Sequence, residues 1–267
     1  MRRLWILILL CACFHQPAGA ADAELISIKT PRGVTQKFIF IKRDKPVASV
    51  ILFAGGKGAL KLKSASDMGW GKGNFLVRTR DMFAAENLNV AVIDAPSDQQ
   101  GGMNAIFRMS KGHADDIGAV AAYLKKAAGG PVWLVGTSMG TFSAAGGAIG
   151  AKDIDGLVLT STITRSKPDW KIAESHSDGV GSMAVGKIAV PTLILSHKKD
   201  GCDITPASDG PKLKARLTGA PKVELVILEG GSPPQSEPCE AKSQHGFLGI
   251  EREAVQTIAR FVAANSK

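Results

Sequence analysis

The sequence VWLVGTSMG, residues 132–140, is an apolar run followed by a serine that lies between two glycines. The glycines at positions 136 and 140 lie two residues on either side of Ser138. A GxSxG sequence between a buried strand and a helix forms a sharp turn, in which the serine backbone is strained and its hydroxyl is exposed. The first amides of that helix favour negative charge developing nearby. We therefore predict that Ser138 is a nucleophile; the alternative, in a chain with 30 glycines, is a packing turn with an inert serine.

A serine hydroxyl is a poor nucleophile at neutral pH unless a base lies in hydrogen-bonding reach and a third group orients that base. His245 fits the role of the base, because it lies in a loop between the last predicted strand and the terminal helix. The other histidines after residue 20 suit different roles. His113 opens a helix and is expected to cap or pack, His176 lies in a segment that could touch substrate, and His197 ends a strand close to the acid position.

Two carboxylates in the sequence SHKKDGCD, residues 196–203, are candidates for the orienting acid. Asp200 is the prediction, because it is nearer the end of the preceding strand and the glycine after it permits a tight turn. Asp203 is the alternative, and both could instead be solvated loop charges beside two lysines. Either choice gives the chain order Ser, Asp, His, which differs from the order in chymotrypsin-like and subtilisin-like chains.

The elements that must position these side chains alternate between strands and helices, which predicts a mostly parallel sheet covered on both faces. The predicted strands are 25–29, 37–42, 47–53, 90–94, 132–135, 157–160, 192–195 and 223–228. The first two are expected to form an antiparallel edge. Helices are predicted over 114–127, 139–149 and 251–264, and residues 165–188, which lack a clear period, are where a small cap could lie. We expect one α/β domain over residues 21–267.

With these elements in place, the sequence resembles the α/β-hydrolase superfamily over nearly the whole chain after residue 20. The resemblance is carried by FAGG at 53–56 after the third strand, GTSMG at 136–140 after the fifth, Asp200 after the seventh and HGF at 245–247 after the eighth. It implies the α/β-hydrolase fold, with an eight-stranded, mostly parallel sheet and no large lid. It also implies that Ser138, Asp200 and His245 act as nucleophile, orienting acid and base.

Such a site also requires two amide donors for the carbonyl oxygen that becomes negative, the oxyanion hole. Met139 is expected to give one, and the resemblance places the second at Gly56 or Lys57. The sequence AGGK at 54–57 departs from the HGGG of many lipases and esterases. A phosphate-binding loop is not expected here, because Leu60 and Leu62 stand where a Walker motif needs glycine and a hydroxyl residue.

The first twenty residues have the pattern of a cleavable export signal. Arg2 and Arg3 precede an apolar run at 4–14, which is too short to span a membrane, and the small residues Ala18-Gly19-Ala20 follow it. We expect a periplasmic or secreted protein whose mature chain starts near residue 21. The alternative is a lipoprotein anchored through Cys13, because the sequence LCAC at 10–13 loosely matches a lipid-attachment box.

Export leaves two cysteines, Cys202 and Cys239, which in an oxidising compartment most simply form one disulfide. Cys202 lies two residues after Asp200 and Cys239 six residues before His245, so that a bridge would hold the two loops together. Free thiols or a metal site are the alternatives. No metal is expected, because no CxxC or Cys/His cluster accompanies the pair.

The formal net charge of +9 falls by two, to +7, when the two signal arginines are removed. The scattered lysines are compatible with weak association with an anionic envelope surface. Nucleic acid is not an expected partner, because the chain has one tyrosine and no recognisable binding motif.

Together these features predict a serine hydrolase that cleaves a small-molecule carboxylic ester or a related acyl bond without a cofactor. The alternatives are a peptidase or amidase with the same three residues, and a binding module without catalysis. The sequence does not indicate an oligomeric state.

Overall fold

A computed structural model describes residues 23–266 of the chain. The predicted export signal and Cys13 lie outside the described residues. The strands are β1 (Ala23–Lys29), β2 (Thr35–Ile41), β3 (Ala48–Phe53), β4 (Leu88–Ile93), β5 (Val132–Ser138), β6 (Gly156–Thr162), β7 (Thr192–His197) and β8 (Val223–Leu228). The α-helices are α1 (Phe75–Arg78), α2 (Arg80–Ala85), α3 (Ala105–Arg108), α4 (Lys111–Ala128), α5 (Gly140–Gly150), α6 (Gly210–Arg216) and α7 (Glu251–Asn265). Short 3-10 helices cover Gly179–Ser182, Val185–Lys187, Ala207–Asp209 and Gln244–Gly246.

The strands form one eight-stranded sheet in the order β1-β2-β4-β3-β5-β6-β7-β8. β1 pairs antiparallel with β2, and β2 pairs antiparallel with β4. All the other neighbouring strands are parallel, so the carboxyl ends of β3, β5, β6, β7 and β8 lie at the same edge of the sheet. The predicted fold class, the eight strands and the antiparallel edge are therefore confirmed.

The hydrophobic core lies in two layers, one on each face of the sheet. Along β3, Val50 and Leu52 face the layer that contains α1, α2 and α7. Ile51 and Phe53 face the other layer, which contains α4, α5 and α6. Because both faces are covered, the central strands are apolar at nearly every position, as the sequence indicated.

The three predicted helices are present as α4, α5 and α7, with small shifts at their ends, whereas the shorter helices α1, α2, α3 and α6 were not predicted. α4 begins at Lys111, three residues before the predicted start, because the Ser110 hydroxyl caps it by accepting the His113 amide at 3.2 Å. Residues 165–188 form turns and two 3-10 helices, and Val180, Val185 and Ile188 within them pack into the core. In the described part of the chain, no helix is both long enough and apolar enough to cross a bilayer.

A disulfide joins Cys202, in the loop after β7, to Cys239, in the loop after β8. The cysteines are 37 residues apart in the sequence. Closing a loop of this size reduces the conformational freedom of the unfolded chain, and a native disulfide typically contributes about 2–4 kcal/mol to stability.

Replacing both cysteines, with Cys202→Ala and Cys239→Ala, is therefore expected to lower the free energy of unfolding by about 2–4 kcal/mol. Urea denaturation followed by circular dichroism measures the difference. The control is the wild-type protein unfolded in a reducing agent, which should match the double variant. Equal urea concentrations at the midpoint of unfolding for the oxidised wild type and the double variant would show that the disulfide adds no stability.

His113 is a buried histidine between α4, α5 and the sheet, with none of its surface exposed. Its Nε2 lies 3.0 Å from the Ser143 hydroxyl, and its ring packs against the rings of Phe53 and Phe107. Burial, assisted by the positive charge of Arg108, lowers the pKa of His113 to about 3. The imidazole is therefore a neutral packing element at neutral pH.

This burial predicts a pH dependence of stability. An unfolded histidine takes up a proton near pH 6.5, whereas folded His113 does so only near pH 3, so the unfolded chain binds more protons between these values. Stability from this group is present above pH 6.5 and is lost as the pH falls toward 3, by up to about 1.4 kcal/mol per pH unit. Between pH 4.5 and 6.5, the free energy of unfolding of His113→Gln should therefore fall less steeply than that of the wild type, with a slope that is smaller by up to about 1.4 kcal/mol per pH unit. Denaturant titrations at several pH values measure the slopes, and parallel slopes for the two proteins would contradict the expectation.

Candidate active site

Ser138 is the last residue of β5 and has a positive φ of 53°, a conformation that residues other than glycine rarely adopt. The glycines on either side permit the close backbone approach that this turn needs. A Cβ atom on Gly136 would lie 2.5 Å from the carbonyl oxygen of Gly140, and one on Gly140 would overlap the carbonyl oxygen of Phe53. The serine therefore lies on a strained strand-to-helix turn at the carboxyl edge of the sheet, with its side chain partly exposed.

Asp200 and His245 form a buried hydrogen-bonded pair. The imidazole Nδ1 lies 3.0 Å from Oδ2 of Asp200, and the two side chains are 5% and 0% exposed. The other carboxylate oxygen, Oδ1, accepts the backbone amide of Cys202 at 3.0 Å. Asp203, the alternative acid, is exposed and makes no contact with His245 among the hydrogen bonds of the described residues. Of the two candidate acids, only Asp200 therefore reaches the imidazole.

Thr205 completes the surroundings of this pair. Its buried hydroxyl donates to Oδ2 of Asp200 at 2.9 Å and lies 3.1 Å from Nδ1 of His245. The carboxylate thus accepts hydrogen bonds at both oxygens, which fixes its plane relative to the imidazole. Thr205 was not among the predicted site residues, because a single threonine in a loop carries no pattern that separates it from a surface residue.

Ser138 and His245 line the same cavity, which has a volume of about 450 Å³. The second ring nitrogen of His245, Nε2, is buried and has no hydrogen-bond partner among the described residues. No hydrogen bond joins it to the Ser138 hydroxyl in this part of the chain. The structure therefore brings the predicted serine and histidine to one cavity, with Asp200 behind the imidazole.

Two loops far apart in the sequence form the walls of this cavity. Trp70 and Asn74 contribute from the segment before α1, and Glu240 and Lys242 from the loop that carries Cys239. Trp70 is 39% exposed, and a Cβ on Gly56 would lie 2.8 Å from its indole ring, so the indole lies directly against the loop after β3. The cavity therefore combines an aromatic wall with a charged rim.

The structure gives different surroundings to the three predicted oxyanion donors. Gly56 lines the cavity beside Ser138, whereas Lys57 does not, and the Lys57 carbonyl accepts the amide of Met103 at 2.9 Å. Met139 follows the serine at the start of α5, and its side chain lines a second cavity. None of the three amides donates a hydrogen bond to another described residue.

Arg78 joins the two loop walls to the histidine segment. Its guanidinium donates to the carbonyl oxygens of Gly73 at 2.7 Å and Gly246 at 2.6 Å, and it pairs with Glu251 at 2.9 Å. The hydroxyl of Ser161, at the end of β6, donates to the carbonyl oxygen of His245 at 2.8 Å. These contacts hold the backbone carbonyls of His245 and of the residue after it.

The remaining histidines lie away from Ser138. His197 is buried, with Nδ1 accepting the amide of Lys199 at 3.0 Å and Nε2 3.1 Å from the carbonyl oxygen of Gly230. His176 lines a different cavity with Met183. The expectation that His176 could touch substrate at Ser138 therefore finds no support in its position.

The candidate cap, residues 165–188, contributes no residue to the lining of the cavity that contains Ser138. Its residues 169–172 line the second cavity, of about 410 Å³, together with Met139 and Ile106.

Within residues 23–266, no three His, Cys, Asp or Glu side chains are grouped so that they could hold a metal ion.

No protein-family model matches this sequence, and no curated protein matches it either. Solved structures do share its architecture. An esterase from Pyrococcus furiosus superposes with a TM-score of 0.65 at 15% identity, covering 92% of each chain. A cold-adapted esterase from an Arctic intertidal metagenomic library has a TM-score of 0.60 at 14% identity, covering 94% of this chain and 97% of its own.

Dienelactone hydrolase from Anabaena variabilis is similar to the same extent, with a TM-score of 0.61 at 15% identity over 93% of this chain and 100% of its own. At this level of identity the likeness concerns the fold. The sheet order, the strained turn after β5 and these neighbours lead to one conclusion: the fold of this chain is that of the α/β-hydrolase superfamily.

Proposed function

We propose that this chain is a serine hydrolase that cleaves a carboxylic ester or a related acyl bond through an acyl-enzyme on Ser138. The observation that carries the proposal is the hydrogen bond between Asp200 and Nδ1 of His245, an imidazole that lines the cavity and whose Nε2 has no hydrogen-bond partner within residues 23–266. An imidazole oriented in this way has one nitrogen available to accept a proton. Ser138, which lines the same cavity, is the hydroxyl that would supply it.

Acylation begins when Oγ of Ser138 attacks the acyl carbon and His245 takes the hydroxyl proton on Nε2. Asp200 holds the proton on Nδ1 and stabilises the imidazolium that forms. The carbonyl oxygen becomes negative and accepts hydrogen bonds from the amides of Met139 and either Gly56 or Lys57. The bond to the leaving group then breaks, and Nε2 returns its proton to the departing oxygen.

Water completes the cycle by the same route. His245 removes a proton from a water molecule as the water oxygen attacks the acyl carbon of the acyl-enzyme. The negative oxygen of this second intermediate accepts hydrogen bonds from the same amides as the first. When the bond to Oγ breaks, the proton on Nε2 passes to Ser138. The acid is released, and the serine hydroxyl is restored.

Features of the cavity support a small acyl substrate. Its aromatic side chains, Trp70 and Phe75, provide apolar surface, and Glu240 and Lys242 provide polar groups at the rim. A volume of about 450 Å³ suits a small molecule. Fold neighbours named as esterases and as dienelactone hydrolase support ester chemistry by analogy.

A fluorophosphonate probe is expected to label wild-type protein at Ser138, because the probe reacts with an activated serine hydroxyl. Ser138→Ala should not be labelled, and its kcat on a p-nitrophenyl ester should fall by roughly 10⁴ to 10⁶. Mass spectrometry of the labelled peptide locates the adduct. Ser143→Ala, which removes a buried hydroxyl in α5, is the matched control and should still be labelled.

The outcomes separate the alternatives. Folded wild-type protein that is neither labelled nor active on any acyl substrate would overturn the proposal and favour a binding module. Faster turnover of aminoacyl anilides than of p-nitrophenyl esters would instead identify a peptidase or amidase with the same serine.

We further propose that the protein is exported, since its disulfide suits an oxidising compartment. Expressed with its own N-terminus in a bacterial host, the chain should be recovered outside the cytoplasm with an intact mass that corresponds to cleavage after Ala20. A mass that includes lipid on Cys13 would identify a lipoprotein. An uncleaved cytoplasmic chain would contradict export.

A further inference from the structure

A fully buried arginine lies beneath the loop that follows β3. Arg108, the last residue of α3, is 1% exposed. Its Nη2 donates to the carbonyl oxygens of Gly56 at 3.1 Å and Ala54 at 3.5 Å. Its Nη1 donates to the Ser143 hydroxyl at 2.9 Å, and its Nε donates to the carbonyl oxygen of Met103 at 3.2 Å. All three nitrogens of the guanidinium are therefore engaged.

All of these acceptors are neutral, and no carboxylate pairs with Arg108 in the described part of the chain. Burying a cation without a counter-ion is costly, and it is tolerated only when hydrogen bonds replace its hydration. Burial lowers the pKa of Arg108 to about 9, which still leaves the guanidinium charged at neutral pH. The charge is thus held by backbone carbonyl oxygens and one hydroxyl.

The two loop carbonyls bound by Arg108 lie on either side of the peptide unit that joins Gly55 to Gly56. The amide of Gly56 belongs to that central unit, and the amide of Lys57 belongs to the same peptide unit as the Gly56 carbonyl. Both candidates for the second oxyanion donor are therefore fixed by the same guanidinium. A Cβ on Gly55 would lie 3.0 Å from Cβ of Ser138, so this stretch of backbone directly adjoins the serine.

The loop requires such external support. Gly56 and Gly58 both have positive φ, at 55° and 65°, and glycine-rich backbone has more conformational freedom than any other. Hydrogen bonds from a charged donor are stronger than those from a neutral one, and they polarise the peptide groups that accept them. A cation behind the loop thus restrains the backbone, and it strengthens as a donor the amide of Lys57, which shares a peptide unit with the Gly56 carbonyl.

We propose that Arg108 is a positioning residue for the oxyanion site: its guanidinium fixes the backbone of residues 54–57 so that a loop amide is aimed at the substrate carbonyl oxygen. The proposal rests on the hydrolase function proposed above. Arg108 acts through the loop and contacts neither substrate nor Ser138. Its contribution belongs to the charged intermediate rather than to substrate binding.

The test replaces Arg108 by lysine, which keeps a positive charge but lacks the planar fork that reaches several acceptors at once. For Arg108→Lys, kcat on a p-nitrophenyl ester should fall roughly 10- to 100-fold, which is no more than the fall in kcat that removal of one oxyanion donor causes. KM should change by less than about 3-fold. The affinity for a trifluoromethyl ketone, which forms a negatively charged adduct with the serine, should fall by the same factor as kcat/KM.

Ser143→Ala is the matched control, because it removes the acceptor of Nη1 and leaves both loop carbonyls bound. Its kcat and its ketone affinity should stay within about 3-fold of wild type. Circular dichroism checks that both variants are folded. If Arg108→Lys does not fold, Gly58→Ala replaces it, since the added methyl would displace Nη2 of Arg108 from the loop.

Equal kcat and equal ketone affinity in Arg108→Lys and wild type would overturn the positioning role while leaving the proposed function intact. A uniform rise in KM would do the same, because it indicates a binding role. If the wild type is neither labelled nor active, the proposed function fails, and the catalytic role of Arg108 fails with it. Hydrogen exchange at residues 55–58 then shows separately whether Arg108 restrains the loop, which requires faster exchange in Arg108→Lys.

Discussion

The close approach of backbone between the start of α5 and the end of β3 is the constraint on which the site depends. Without a Cβ at position 140, the chain after Ser138 can pass against the carbonyl oxygen of Phe53. The same approach places Gly55 against the serine. One steric condition therefore sets both the strained conformation of the candidate nucleophile and its distance from the loop that holds the candidate oxyanion donor. A larger residue at either glycine would separate these two parts together.

Sheet topology explains why the histidine loop needs so many restraints. β7 and β8 lie two and three strands away from β5 in the sheet, so the segment after β8 must cross the ends of β6 and β7 to reach Ser138. The Ser161 hydroxyl at the end of β6 holds the carbonyl of His245 on this path, and Arg78 holds the next carbonyl. The disulfide ties the same segment to the loop of Asp200. A long crossing is thereby converted into a fixed position for the imidazole.

Features of the fold that depend on local patterns are predictable from the sequence, whereas contacts between residues far apart in the chain are not. Continuous apolar runs marked the central strands, since burial on both faces leaves a local pattern, and alternating apolar residues marked the first two. Ser138, Asp200 and His245 were identifiable because each follows a strand end, a position that the sequence records. Thr205 contacts His245 across 40 residues and Arg108 contacts Gly56 across 52, and nothing near them in the sequence marks these contacts. Arg108 in particular ends the four-residue helix AIFR, where an arginine would ordinarily be expected to face solvent.

Chemistry and selectivity belong to different parts of this structure. The groups proposed to react are held at strand ends or by buried hydrogen bonds, whereas the cavity walls come from the segments around Trp70 and Glu240. Both wall residues are exposed, so substitutions there disturb little of the core. The indole of Trp70 nevertheless lies against Gly56, so the aromatic wall adjoins the loop after β3. Any molecule that binds in the cavity beside Gly56 must therefore share its space with the indole of Trp70.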